Sequence, residues 1–99
     1  MNYKQIYIEA FGYDENSFIS SEISGGKASD IHHIIGRGKK GECRIENLMA
    51  LTRKEHEDYG DKKYYMAILL KLHRKRLEIN NIPFDKNYFK SLILRYDHY

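Results

Sequence analysis

The chain has one cysteine, one proline and no tryptophan in 99 residues. A single thiol, Cys43, excludes an internal disulfide framework and any metal cage built from several thiolates. Long apolar runs are missing too. The opening MNYKQIYIEA carries charges early on, so neither a signal peptide nor a membrane span is read there, and the expected location is the cytoplasm. Excess charge of one sign is small, a formal +3, and no internal repeat or low-complexity tract is visible. What is present is ordinary globular material: 41% apolar and 31% charged residues, with nine tyrosines and four phenylalanines supplying most of the bulky core. This length fits one domain, 1–99, with a core of modest size.

The positive excess is unevenly placed. Arg37, Lys39, Lys40 and Arg44 cluster behind a pair of histidines, and KLHRKR at 71–76 is a second basic run. Such clusters suit phosphate contacts. For 71–76, a solvated helix face explains the pattern equally well.

Periodicity predicts an α+β arrangement. Tyr3, Ile6, Tyr7, Ala10 and Phe11 recur at helical spacing and stop at Gly12. Residues 13–29 are rich in Ser, Gly and Asp and read as irregular connection. ASDIHHII is a short strand, GRGKKGE a basic turn and RIENLMALT a second strand ending at Thr52, so 30–52 reads as a hairpin with a wide loop. TRKE at 52–55 is a capping box, with Thr52 as N-cap and Glu55 three residues on, which puts His56 at the end of a first helical turn. Gly60 ends that helix and Asp61 can cap the next, in which Tyr65, Ile68, Leu69 and Leu72 form an apolar stripe assigned to the core. NNIP at 80–83 breaks it. Asp85 can then cap a last amphipathic helix through Tyr88, Phe89, Leu92, Ile93 and Tyr96, so C-terminal helices fill about 61–97.

DIHHIIGRG at 30–38 sets His32 and His33 side by side. Alone, the pair reads as two half-buried polar residues on a strand. With Asn47 and His56 the reading changes, because a hairpin with a helix packed across it can gather these positions at one end. Two neutral imidazoles then offer a divalent ion a site with open positions for water and phosphate. Phosphodiester hydrolysis needs a nucleophile, a base that is neutral near physiological pH, and positive charge at the developing oxyanion; histidine suits the base. Strand neighbours point to opposite faces, so His32 and His33 serve one site only if the strand bends or ends between them, which Gly36 and Gly38 allow. Asp30 shares a face with His32 and is placed behind the site, orienting an imidazole or an arginine.

At these residues the chain resembles the HNH, or ββα-metal, nuclease family. The match runs D-x-H-H-I at 30–34, N-L-x-x-L at 47–51 and E-H at 55–56, within a motif core of about 28–60, roughly a third of the chain. The resemblance implies a ββα-metal core flanked by N- and C-terminal helices, and a metal-dependent endonuclease hydrolysing DNA, most simply double-stranded DNA, with low sequence specificity. It implies His33 as general base, Asn47 as the residue that fastens the loop and orients His33, and His32 and His56 as ligands of one divalent ion (Mg, Mn, Ni or Zn). Arg37, Lys39, Lys40 and Arg44 would face DNA, and the products would carry 5′ phosphates and 3′ hydroxyls. Two departures stand out. Some members carry a further metal histidine where Gly60 stands here. Many small members hold a structural zinc with two C-x-x-C pairs; here Ser21 and Ser24, and Thr52 and Glu55, occupy those places, so no structural zinc is expected. The neighbouring sequence is also similar to small HNH proteins of bacteriophages, for which the location would be the cytoplasm of a bacterial host.

A non-catalytic nucleic-acid-binding or accessory protein on the same scaffold stays open, as does a nuclease acting on RNA or branched DNA. No recognition helix or base-reading module is visible. Self-association and DNA-processing partners of phage or host are also left open, and no membrane partner is expected. His73 and His98 read as surface residues without a role, and Cys43 as incidental.

Overall fold

Asn2 and Gln5 cap one another reciprocally, side chain to backbone amide in both directions, and so start α1 (Tyr3–Phe11). The structure, a computed structural model, describes residues 2–99. After the irregular stretch to residue 29 come β1 (Asp30–His33), β2 (Leu48–Leu51), α2 (Arg53–Tyr59), α3 (Lys63–Ile79) and α4 (Lys86–Tyr96). It is an α+β fold around a single antiparallel pair, with Asp30 opposite Leu51, Ile31 opposite Ala50, His32 opposite Met49 and His33 opposite Leu48. No helix among the described residues is long and apolar enough to cross a membrane.

Both faces of this ribbon are covered, which is why LMAL is apolar throughout rather than alternating. Leu48 and Ala50 pack with Tyr7 of α1. Met49 and Leu51 turn the other way, into the larger cluster with Ile34, Ile35, Met66, Leu70 and Phe89. Paired residues share a face, so Asp30 and His32 lie on the Met49–Leu51 side and His33 on the α1 side.

The strands are shorter than the sequence predicts. Residues 45–47 form a 3-10 turn instead of extending the second strand, and Ile34 and Ile35 lie beyond the first. Asn47 is the reason. Its side chain accepts from the Ile35 amide (2.8 Å) and donates to the carbonyls of Ile35 and Glu42 (both 3.0 Å). The Ile34 amide still donates to the Asn47 carbonyl, but beyond it the Asn47 side chain takes both backbone groups of Ile35 and ties the loop back at Glu42. Gly41 sits inside this closure, where an added Cβ would lie 1.7 Å from the Ile35 carbonyl oxygen.

The capping box at Thr52 and Glu55 is formed, and Gly60 follows the end of α2. Asp61 does not cap the next helix. Its φ is +60°, and Lys62 takes the N-cap position without a side-chain bond. The Lys62 ammonium turns back to the carbonyls of Glu57 and Asp58 (3.3 and 2.7 Å), where a cation suits the C-terminal end of α2. Asp85 does cap α4, accepting from the Tyr88 amide at 3.0 Å.

Two further expectations fail on α3. Its buried face is Met66, Ala67, Leu69, Leu70, His73 and Leu77, so of the stripe read as core only Leu69 is buried, while Ile68 and Leu72 face solvent. His73 is not a surface residue: it is fully buried. Position 73 lies one turn from 69, 70 and 77 and therefore on the core face. Its Nδ1 lies 2.7 Å from Glu22 Oε1 and its Nε2 2.5 Å from the Ile45 carbonyl oxygen, while the Tyr7 hydroxyl donates to Glu22 Oε2 at 2.6 Å. Glu22, itself buried, ties α1, α3 and the ribbon together; its amide also donates to the Ala50 carbonyl. Burial and the Glu22 carboxylate push the Tyr7 hydroxyl far above its usual pKa, so it remains a donor.

Candidate functional site

Three elements converge where β1 meets α2. His32, 4% exposed, and His56 face each other with ring centroids 4.4 Å apart. His56 Nδ1 lies 3.0 Å from Asp30 Oδ2, and the other Asp30 oxygen accepts from Arg53 at 3.0 Å. His56 Nε2, on the other side of the ring, faces outward and lies 4.0 Å from Asp61 Oδ2. Gly60 makes the approach possible. A Cβ there would lie 2.5 Å from the His56 carbonyl oxygen, 2.6 Å from its ring and 3.2 Å from the His32 ring. Glycine at 60, the place of a further histidine in some members of the family the sequence resembles, is what lets the two imidazoles meet.

The charges follow from the surroundings. Burial, with the adjacent His56, pulls the His32 imidazole down to about 4. Burial is the largest single influence on the Asp30 carboxyl and raises it, but the bonds and charges of His56 and Arg53 together outweigh it and hold Asp30 below the usual carboxylate range. His32 Nε2 is buried without a hydrogen-bond partner, an arrangement that ordinarily costs stability unless something else meets the nitrogen. A neutral imidazole with an orphaned nitrogen, facing a second imidazole oriented by a carboxylate, is a donor pair that could hold a borderline divalent ion. Among the described residues, no three His, Cys, Asp or Glu side chains are gathered into a ready-made cage. The set that fits is two imidazoles, with Asp61 within reach.

This geometry carries a pH prediction for the metal-free protein. Unfolded, His32 titrates near the reference value of about 6.5; folded, it resists protonation down to about 4. Between these values the unfolded chain binds a proton that the native chain refuses, so stability falls as pH falls through that window. The loss should reach about 3 kcal/mol at its acid end. Urea midpoints in chelator at pH values above and inside the window measure it, and His32→Asn should flatten the dependence. A midpoint unchanged on acidification would contradict the assignment.

His33 occupies the last position of β1, which runs through both histidines and ends after them, not between them. Its ring contacts Tyr3 of α1 at a centroid distance of 4.9 Å, and its Nε2 lies 3.2 Å from Cys43 Sγ. Burial and the nearby Arg37 charge hold its pKa below the usual value. Asn47 fastens the loop but makes no hydrogen bond to His33. Lys39 and Lys40 are exposed, and Arg37 reaches Cys43 at 3.3 Å. Arg44 is engaged elsewhere, with Glu46 at 3.3 Å, Asp85 at 3.4 Å and the Tyr88 ring at 3.9 Å.

Comparison with family models, curated proteins and solved structures gives no match. The site therefore rests on its own geometry. Sequence reasoning missed Tyr3, Cys43, Arg53 and Asp61 there. Arg53 alone carried a signal, since it precedes His56 by three residues on a capped helix and so shares its face.

Proposed function

We propose that the chain is a metal-dependent endonuclease of the HNH type acting on DNA, with β1, β2 and α2 as its ββα-metal core. One observation carries the reading. The orphaned His32 nitrogen and the carboxylate-backed His56 ring face each other, and the residue next to His32 is a histidine whose pKa burial and Arg37 lower. A second observation supports it. The four positions where the family's zinc-binding cysteines would stand meet in one knot: Ser21 donates to Glu55 at 2.5 Å and accepts from the Ser24 amide, while Thr52 and Glu55 cap one another. Burial raises the Glu55 carboxyl, yet the bonds from Ser21, Ser24 and Thr52 outweigh it and hold it below the usual range.

In this reading His32 and His56, with Asp61, hold one divalent ion of the Mg, Mn, Ni or Zn class. When bound, that ion supplies positive charge to the scissile phosphate and the leaving 3′ oxygen. His33 lies on the face of β1 opposite His32. In this reading it therefore serves the far side of the phosphate, where an in-line water attacks, and takes that water's proton at Nε2, the nitrogen that now faces Cys43. Asp30 keeps His56 in the tautomer that presents Nε2 outward, and Arg53 adds a cation beside the phosphate path. Lys39 and Lys40 hold the duplex by its backbone, without reading bases.

The test is a substrate panel. Supercoiled, linear, single-stranded and branched DNA and RNA are each incubated with the four metals and with chelator. Nicking of plasmid that needs metal is expected. Binding without cleavage in every combination would favour an accessory protein instead.

Removing metal should not unfold the chain. The start of α2 is held by the Ser21–Thr52–Glu55 bonds, so excess chelator is expected to abolish cleavage yet leave the far-ultraviolet circular dichroism unchanged. A large loss of helicity would show that a metal, not this knot, holds the fold.

A further inference from the structure

The outermost face of α3 is apolar. Tyr64, Ile68, Leu72 and Ile79 are 58, 51, 45 and 68% exposed, on the side opposite the helix's buried residues. Along this face Tyr65, Ile68, Leu72, Lys75 and Ile79 follow one another in alternating steps of three and four, the spacing by which two helices share a seam. Beside it lies an apolar hollow of about 140 Å³, bordered by Tyr59, Tyr65, Leu69 and Ile23.

The seam also carries both halves of its own complement. Its C-terminal half bears Lys75, exposed and without an ion pair among the described residues. Its N-terminal half bears the Tyr64 and Tyr65 rings. The lysines at that end point elsewhere: Lys62 to the α2 carbonyls and Lys63 over the Tyr99 ring. Farther along, Lys71 pairs with Asp97 and Arg74 with Glu78, leaving Lys75 as the seam's free cation. A parallel partner would stack lysine on lysine. An antiparallel partner sets each Lys75 against the other's Tyr65 ring, with Ile68 and Leu72 packed against each other between them.

We propose that α3 pairs antiparallel with α3 of a second copy, about a two-fold axis between Ile68 and Leu72. Ile68 of each copy then meets Leu72 of the other, and Lys75 meets Tyr65. The contact is isologous, so it closes at two copies. One seam on a helix of 17 residues makes a small interface, so association should depend on concentration across the micromolar range. The pairing rests on the shape and charge of α3 alone, and stands or falls independently of the nuclease reading.

Sedimentation velocity of the full chain should show mass rising from 11.8 kDa toward twice that as concentration increases. Ile68→Lys and Leu72→Lys should each stay monomeric with unchanged circular dichroism, since both side chains are exposed. A parent that stays monomeric, or variants that dimerise like the parent, would overturn the proposal. Orientation is read in a Cys43→Ser background. Mixed Ile68→Cys and Leu72→Cys chains should cross-link several-fold faster than either alone; faster self-cross-linking of each would overturn the antiparallel register.

Discussion

In the proposed nuclease, replacing His33 by alanine is expected to lower plasmid nicking by about 10²–10⁴-fold at saturating metal, with metal affinity and fold retained. Three facts combine here. His33 ends β1, on the opposite face of the ribbon from His32, so its removal leaves the His32–His56 pair intact. The ring is only half buried, so truncation opens a small defect beside Tyr3 rather than a core cavity. Burial and Arg37 lower its pKa, which favours the neutral form a base requires. The loss should therefore fall on turnover, not on binding, and calorimetric metal titration should be unchanged. A variant that nicks at near the parent rate would remove His33 from the chemistry.

The largest expected effect on stability lies away from the site, at Glu22. Glu22→Ala is expected to cost about 3–5 kcal/mol, a large part of the roughly 5–15 kcal/mol that holds a typical domain. The carboxylate accepts from Tyr7 and pairs with His73, and all three side chains are buried. Removing it strands the Tyr7 hydroxyl and a His73 nitrogen in the core, where unmet polar groups cost far more than the net gain of the bonds they lost. His73→Ala should be severe for the converse reason, leaving the carboxylate with one partner fewer. Because the residues share one network, the double variant should cost less than the two single losses added. Urea denaturation of the four proteins measures this. A Glu22→Ala cost below about 1 kcal/mol would show that the network is dispensable.

The parts of the fold set by neighbouring residues were legible in the sequence. The Thr52–Glu55 box, the Gly12 and Gly60 stops, the Asp85 cap and the apolar face of α4 all depend on contacts within one or two turns. What depended on distant partners was not. His73 looked like part of a solvated basic run because its partner, Glu22, lies 51 residues earlier. On α3, helical spacing revealed an apolar stripe but could not say which of two faces packs inward, and the stripe chosen was the outer one. The second strand was drawn too long because a turn closed by the Asn47 side chain looks, in sequence, like more strand. At the site, motif spacing brought His32 and His56 together with Asp30 behind them. Asp61 was read only as a helix cap, and the backbone turn that brings it near His56 has no sequence signature of its own.

The most direct test of the proposed activity is plasmid conversion by protein first stripped with chelator and then titrated with Mn or Ni. Open-circular product is expected only after metal is added, saturating near one ion per chain, and lost in His32→Ala and His56→Ala at the same metal concentration. Conversion that persists in chelator and in both variants, or no conversion by the parent with any of the four metals, would contradict a nuclease centred on this histidine pair.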